Sequence, residues 1–279
     1  MLFSLSSFFL CCPHLDNKCS AKEWYNTWKK ELGGIFHGID WDLEGHDDLR
    51  SPTNKFSLEC LDKMGRISQY AHDNGHCIGI APPQSYLDLH NRQFSCCVNL
   101  THSERPWHAD FHYFGKNVYA YLLAKYQSYV DFVSIQFYKS YSRAGMSVYY
   151  HKMAPSKYLE SYVNQLVEMD EAFPVDFDQD PTVGLPSQKV PLPLPKLVLG
   201  FANGWALNMG DKALYFKPKS IQIAYQRLQD AGRAPRGFMF WELGEEGTNG
   251  IKYAIALGHI LQIRDSQKIK RRRTEDRDL

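Results

Sequence analysis

The chain has 279 residues, 44% of them hydrophobic, which is enough for a substantial core. Its formal net charge of +1 argues against a nucleic-acid or membrane partner recruited by overall charge. Seven cysteines, an odd number with no Cys-x-x-Cys pair, speak against a zinc site and imply no complete disulfide framework.

Taken in chain order, residues 1–20 are an apolar leader. Met1 to Cys12 carry no charge, are too short to span a bilayer, and lack the positive start of a secretory signal. The segment reads either as signal-like or as a false start. Extracellular location is the expectation, and Asn99-Leu100-Thr101 would then be a glycosylation acceptor. Ala21 to Leu32 predicts a helix and Ile35 to Leu43 the first strand. Phe56, Leu61, Met64, Ile67 and Ala71 recur at helical spacing, with Gly75 as a stop. His76 to Ala81 predicts a second strand, followed by a long loop and a helix near Val118 to Tyr129. Phe132 to Tyr138 predicts a third strand. Tyr158, Leu159, Tyr162, Val163 and Leu166 mark the next helix, with Ser156 as its expected cap. Residues 174–195, acidic and then proline-rich, read as a loop. Leu197 to Phe201 predicts a fourth strand, Ser220 caps a helix ending near Gly232, Gly237 to Trp241 predicts a fifth strand, and Ile251 to Ile263 a closing helix. Residues 266–279 are a solvated tail in which basic side chains (Lys268, Lys270, Arg271) precede acids (Glu275, Asp276).

Strands alternating with helices predict a parallel sheet with helices outside it. In such folds chemistry sits at the carboxyl ends of the strands, where Glu44, Tyr138 and Trp241 fall. The first strand carries the sharpest feature: Asp40, Asp42 and Glu44 alternate with Ile39, Trp41 and Leu43. Alternate side chains of a strand leave opposite faces, so the acids share one face about 7 Å apart and the apolar residues share the other. Crowded like charges repel and cost stability, and such an arrangement persists mostly where chemistry uses it. A divalent-metal site of oxygen ligands is the competing reading, since such clusters suit magnesium or manganese.

Gly38-Ile39-Asp40-Trp41-Asp42-Leu43-Glu44 resembles the Asp-x-x-Asp-x-Asp-x-Glu signature of glycoside hydrolase family 18, the chitinases and their relatives, on the fourth strand of a (β/α)8 TIM barrel. Ile80-Ala81-Pro82-Pro83-Gln84 resembles that family's fifth strand end, Asp131 to Tyr138 its sixth with Gln-x-Tyr, and Gly237 to Trp241 its eighth. The Ala-Pro-x-Gln and Gln-Phe-Tyr wording is similar to the plant-type class III branch, and the resemblance runs over residues 21–265. It implies hydrolysis of β-1,4-linked N-acetylglucosamine polymers, an exception to the two-carboxylate scheme because the substrate's N-acetyl oxygen is the nucleophile. Glu44 would be the general acid and later the base, and Asp42 would orient the acetamido group. Asp40 would share a proton with Asp42 as a coupled pair, and Tyr138 would donate its hydroxyl to the acetamido oxygen. Gln136, Trp241, Gln84 and Ala81 would bind substrate, with Trp241 packing against the sugar. No cofactor or metal is implied; the partner is chitin or an N-acetylglucosamine oligosaccharide, and the chain is expected to be a monomer if its barrel is complete.

The chain also departs from the family. His37 stands where the signature opens with Asp; being out of phase with the acids, it is expected to support the strand's start. Only 36 residues precede the motif, where three strand–helix units of roughly 30 residues each would be expected. Five strands are predicted against the eight of a barrel, so the expectation is an N-terminally truncated barrel with strands four to eight present. The interval from Phe201 to Gly237 leaves no room for an extra α+β domain, which predicts a shallow groove. A non-catalytic carbohydrate-binding protein is the rival function.

Overall fold

A computed structural model describes residues 2–5, 19–44, 55–97, 116–139, 142–210 and 213–262. Asn99-Leu100-Thr101, most of the leader and the C-terminal tail lie outside the described residues. The elements are β1 (Leu2–Leu5), α1 (Ala21–Glu31), β2 (Gly38–Trp41), α2 (Leu58–Asp73), β3 (Cys77–Ile80), α3 (Ala120–Tyr126), β4 (Phe132–Gln136), α4 (Arg143–Gly145), α5 (Pro155–Glu168), β5 (Ala172–Val175), β6 (Gln188–Pro191), β7 (Leu197–Ala202), α6 (Pro218–Asp230) and β8 (Gly237–Trp241). A final helix, α7, covers residues 253–262.

Six strands form one sheet in the order β1-β2-β3-β4-β7-β8, every pair parallel. Each strand is laid beside the one before it, always on the same side, with a helical crossover between consecutive strands from β2 onward. A doubly wound sheet reverses its strand order; one-way winding is that of a (β/α) barrel sector. The five strands expected from the sequence are β2, β3, β4, β7 and β8. Leu2–Leu5 adds a sixth, in register with Gly38–Trp41.

Three expectations are corrected. Residues 174–195 are not all loop: β5 and β6 pair antiparallel, from Ala172↔Pro191 to Val175↔Gln188. Phe173, Val175, Phe177, Val190 and Leu192 are buried, a period-two pattern hidden among prolines that an edge ladder tolerates. Neither Ser156 nor Ser220 is a cap. The helices start two and three residues earlier than those caps would set, at Pro155 and Pro218 behind Ala154 and Lys217, because proline's fixed φ and missing N–H suit the first helical position. By contrast Ser20, which no sequence argument singled out, closes a full capping box with Glu23 at the start of α1.

The apolar face of β2 packs outward on the helix layer. Trp41 lies 5.7 Å from Trp24 of α1, ring to ring, and donates its indole N–H to Ser68 of α2 at 2.8 Å. The strand's end is held by two tyrosines. Tyr119 Oη accepts from Leu43 N at 2.8 Å and donates to Leu43 O at 2.9 Å, and Tyr86 donates to Glu44 O at 3.0 Å. With Ile39, Trp41 and Leu43 committed to this side, the alternating acids are turned to the other. Among the described residues no helix is long and apolar enough to cross a membrane, and the described cysteines are free thiols.

Candidate active site

Asp40 stands in register with Gly79 of β3. A Cβ at position 79 would lie 2.4 Å from Asp40 Oδ1 and 2.5 Å from the Phe132 ring, so the absence of a side chain there is what leaves room for the carboxyl. Asp40 Oδ1 is shut off from solvent and has no hydrogen-bond partner among the described residues. Burial pushes the Asp40 carboxyl up to about 7, and the charge of Asp42 adds to the rise.

Asp42 is buried and its Oδ1 accepts from Gln136 Nε2 at 2.6 Å. The same amide group donates to Ala81 O, and Ala81 N donates to Trp41 O at 2.7 Å. Gln136 of β4 therefore braces the ends of β2 and β3 together across the sheet. Its Oε1 is buried with no partner among the described residues. Glu44, about a quarter exposed, is ion-paired with the Lys139 ammonium. Tyr138 is buried among Ala202, Ala206 and Ala213, in a cluster that Trp205, Tyr215, Met239 and Trp241 cover. Burial first, then the charges of Asp42, Glu44, Asp40 and Glu242, hold the Tyr138 phenol well above its ordinary value, so it remains a hydrogen-bond donor at neutral pH. The Trp241–Glu242 peptide is cis.

The structure thus brings Asp40, Asp42, Glu44, Gln136, Tyr138 and the Ala81 main chain to adjoining strand ends, and Trp241 packs against the cluster that holds Tyr138. Gln84 is not brought in: it is fully buried, donating to Tyr158 Oη at 2.5 Å and accepting from Ala144 N at 2.9 Å. His37 precedes β2, and its carbonyl accepts from Cys77 N at 2.9 Å, extending the β2–β3 ladder by one bond. Three residues at strand carboxyl ends escaped sequence reasoning: Lys139, Asn203 and Trp205. Each follows an assigned strand within three residues, so the strand-end rule itself could have found them. Among the described residues no three of His, Cys, Asp or Glu converge to hold a metal ion.

No protein-family model matches the chain, and no curated protein matches it. Solved structures do. A fungal endo-beta-N-acetylglucosaminidase from glycosyl hydrolase family 18 is 15% identical, with a TM-score of 0.49 over 88% of this chain and 65% of that one. A GH18 chitinase from Pseudoalteromonas aurantia is also 15% identical, at 0.49 over 86% and 65%. A class V chitinase from Pseudomonas fluorescens is 12% identical, at 0.48 over 89% and 74%. The chain spans about two thirds of the length of the first two, 65% of each. At such identity and superposition the likeness is one of outline and decides nothing about chemistry.

Proposed function

We propose that the chain is a chitinase-like glycosidase of family 18 type, acting on β-1,4-linked N-acetylglucosamine polymers through participation of the substrate's acetamido group. Glu44 gives its proton to the glycosidic oxygen as that bond to the anomeric carbon breaks and the acetamido oxygen bonds to the same carbon. Water then attacks the anomeric carbon, releasing the acetamido oxygen and passing its proton to Glu44. Asp42, held by Gln136, orients the acetamido N–H and faces the positive charge that develops on the group. Asp40, holding a proton near neutrality, limits the charge crowded beside Asp42. Tyr138 donates to the acetamido oxygen, and Trp241 is the surface against which the sugar packs. Ala81 contributes its main chain. No cofactor takes part. The wording around Gln84 and Gln136 favours the plant-type class III branch, and an extracellular substrate fits a secreted chain.

The observation that carries this reading is the Gln136–Asp42 hydrogen bond. It joins side chains 94 residues apart, from the two most distinctive segments of the sequence, at one sheet end. Packing alone does not call for it, since burying a carboxyl costs stability that an apolar residue at position 42 would avoid. One observation favours the rival reading, a carbohydrate-binding protein without turnover: the Lys139 ammonium is ion-paired with Glu44 and occupies the carboxyl that would act on the glycosidic bond. Hydrolysis of a fluorogenic chitobioside separates the two. Turnover by the wild type that disappears in Glu44→Gln is the expected result. Equal rates would remove Glu44 from the mechanism, and retention on chitin beads without turnover by either form would establish the binding protein.

A further inference from the structure

The ends of β7 and β8 are tied together beyond their ladder. The last register pair is Ala202↔Trp241. Past it, Asn203 N donates to Trp241 O at 2.9 Å, and Trp205 Nε1 donates to the same oxygen at 2.9 Å. Asn203 Nδ2 donates to Glu242 O at 2.7 Å. Three donors from one turn thus hold two consecutive carbonyls. The turn is itself pinned from behind. Asn249 Nδ2 donates to Gly204 O at 2.7 Å, and a side chain at position 204 would lie 2.1 Å from Thr248 O.

Two features make this more than a strand-end tidy-up. Asn203 is completely buried, yet its Oδ1 meets no donor among the described residues. An amide buried with one end unsatisfied costs stability, which ordinary packing would avoid with an apolar residue. And β8 is the last strand of the sheet, with β7 its sole neighbour strand among the described residues. Among the described residues, lateral restraint on the Trp241 backbone within the sheet comes from the β7 side, which is where Asn203 and Trp205 stand.

We propose that Asn203 and Trp205 are positioning residues that clamp Trp241, so that its indole presents a fixed face to the sugar. The inference rests on the reading of Trp241 as the sugar-packing surface. A ring that stacks on a substrate is effective only when held in place before binding, and the side chains that hold it contribute without touching the ligand. Trp205 does this through its N–H while its ring covers the same cluster of Tyr138, Ala202, Ala206 and Ala213 that Trp241 covers.

The test is fluorine NMR on the full chain labelled with 5-fluorotryptophan, which carries six tryptophans. Trp241→Phe assigns the Trp241 resonance. Trp205→Phe keeps a ring and deletes the N–H donor; Asn203→Ala deletes the amide. In the ligand-free protein both variants are expected to shift or broaden the Trp241 resonance, while those of Trp24, Trp28 and Trp41 stay in place. With the fluorogenic chitobioside, KM is expected to rise about fivefold to tenfold, the scale of one positioning hydrogen bond, with kcat changing less. A Trp241 resonance and a KM unchanged in Trp205→Phe would overturn the proposal. Should Asn203→Ala disturb every resonance, Trp205→Phe alone decides. Because the line is read without ligand, failure of the clamp is distinct from failure of the sugar-site reading. The latter would appear as a wild-type Trp241 resonance indifferent to added N-acetylglucosamine oligomer.

Discussion

Replacing Asp40 by Asn removes an ionisable group that the fold holds protonated up to about 7, against an ordinary value of 3.8. In the unfolded chain this carboxyl ionises near pH 4; in the fold it keeps its proton until about pH 7. Protonated Asp40 thus favours folding in full below pH 4, and that contribution is lost as pH rises through 7. The gap of roughly three pH units, at about 1.4 kcal/mol each, puts the cost of ionising Asp40 in the fold at about 4 kcal/mol. Asn fills nearly the same volume beside Gly79 and carries no charge at any pH. Urea unfolding followed by tryptophan fluorescence, from pH 4 to 8.5, reads the difference directly. The stability of Asp40→Asn relative to wild type is expected to climb across pH 4 to 7, by a few kcal/mol in total, and then to level off. Chitobioside turnover is expected to fall in the same variant, because in the proposed mechanism Asp40 would share a proton with Asp42. Stability curves that run parallel at every pH would refute the account, since they would mean that the fold does not perturb Asp40.

Three further changes test the frame around the site. Gly79→Ala, whose methyl would press on the Asp40 carboxyl and the Phe132 ring, is expected to cost about 1–3 kcal/mol in chemical denaturation; a cost under about 0.5 kcal/mol would contradict the close approach. Arg143→Met strands the fully buried Asp88, which accepts from Arg143 Nη2 at 2.8 Å. The expected loss is about 3–5 kcal/mol at pH 7, with partial recovery in the Asp88→Asn double variant. Burial pushes Asp88 up, but the hydrogen bonds of His90 and Arg143 and the Arg143 charge outweigh it and hold the carboxyl below its ordinary 3.8. Its contribution is therefore present above that value and lost as pH falls through the lower folded one, so an Arg143→Met deficit that grew below pH 3 would be the wrong sign. Lys139→Met frees Glu44 of a partly exposed ion pair, a contact worth about 1 kcal/mol or less, and is expected to raise kcat/KM by up to about fivefold. A fall in kcat/KM would mean that the ammonium assists the reaction.

Much of this architecture was legible in residues 38–44. Period-two alternation is a property of the extended chain itself, so placing Asp40, Asp42 and Glu44 on one face needed no knowledge of neighbours. The other four strands were legible as apolar runs between helix-period stretches, and β8 was bounded to the residue. The β5–β6 hairpin was not, because four-residue strands broken by prolines carry too few alternations to outweigh a loop-like composition. The two serine caps failed because a proline nearby competes for the same helix start.

Partnership across the sheet belongs to tertiary structure alone. Chain pattern says which way a side chain points; register and strand order say what it meets. Gln136 reaching Asp42, Lys139 reaching Glu44 and Asn203 reaching Glu242 join residues 94, 95 and 39 positions apart. The elevated Asp40 carboxyl likewise depends on burial that only the assembled sheet creates. Gln84 makes a related point: the family resemblance implied a substrate contact, and only the fold shows its amide donating to Tyr158 Oη and accepting from Ala144 N. The sequence by itself determined that Asp40, Asp42 and Glu44 share one face, through periodicity along one strand. The fold decided what each of them meets, because hydrogen bonds and desolvation depend on distance in space.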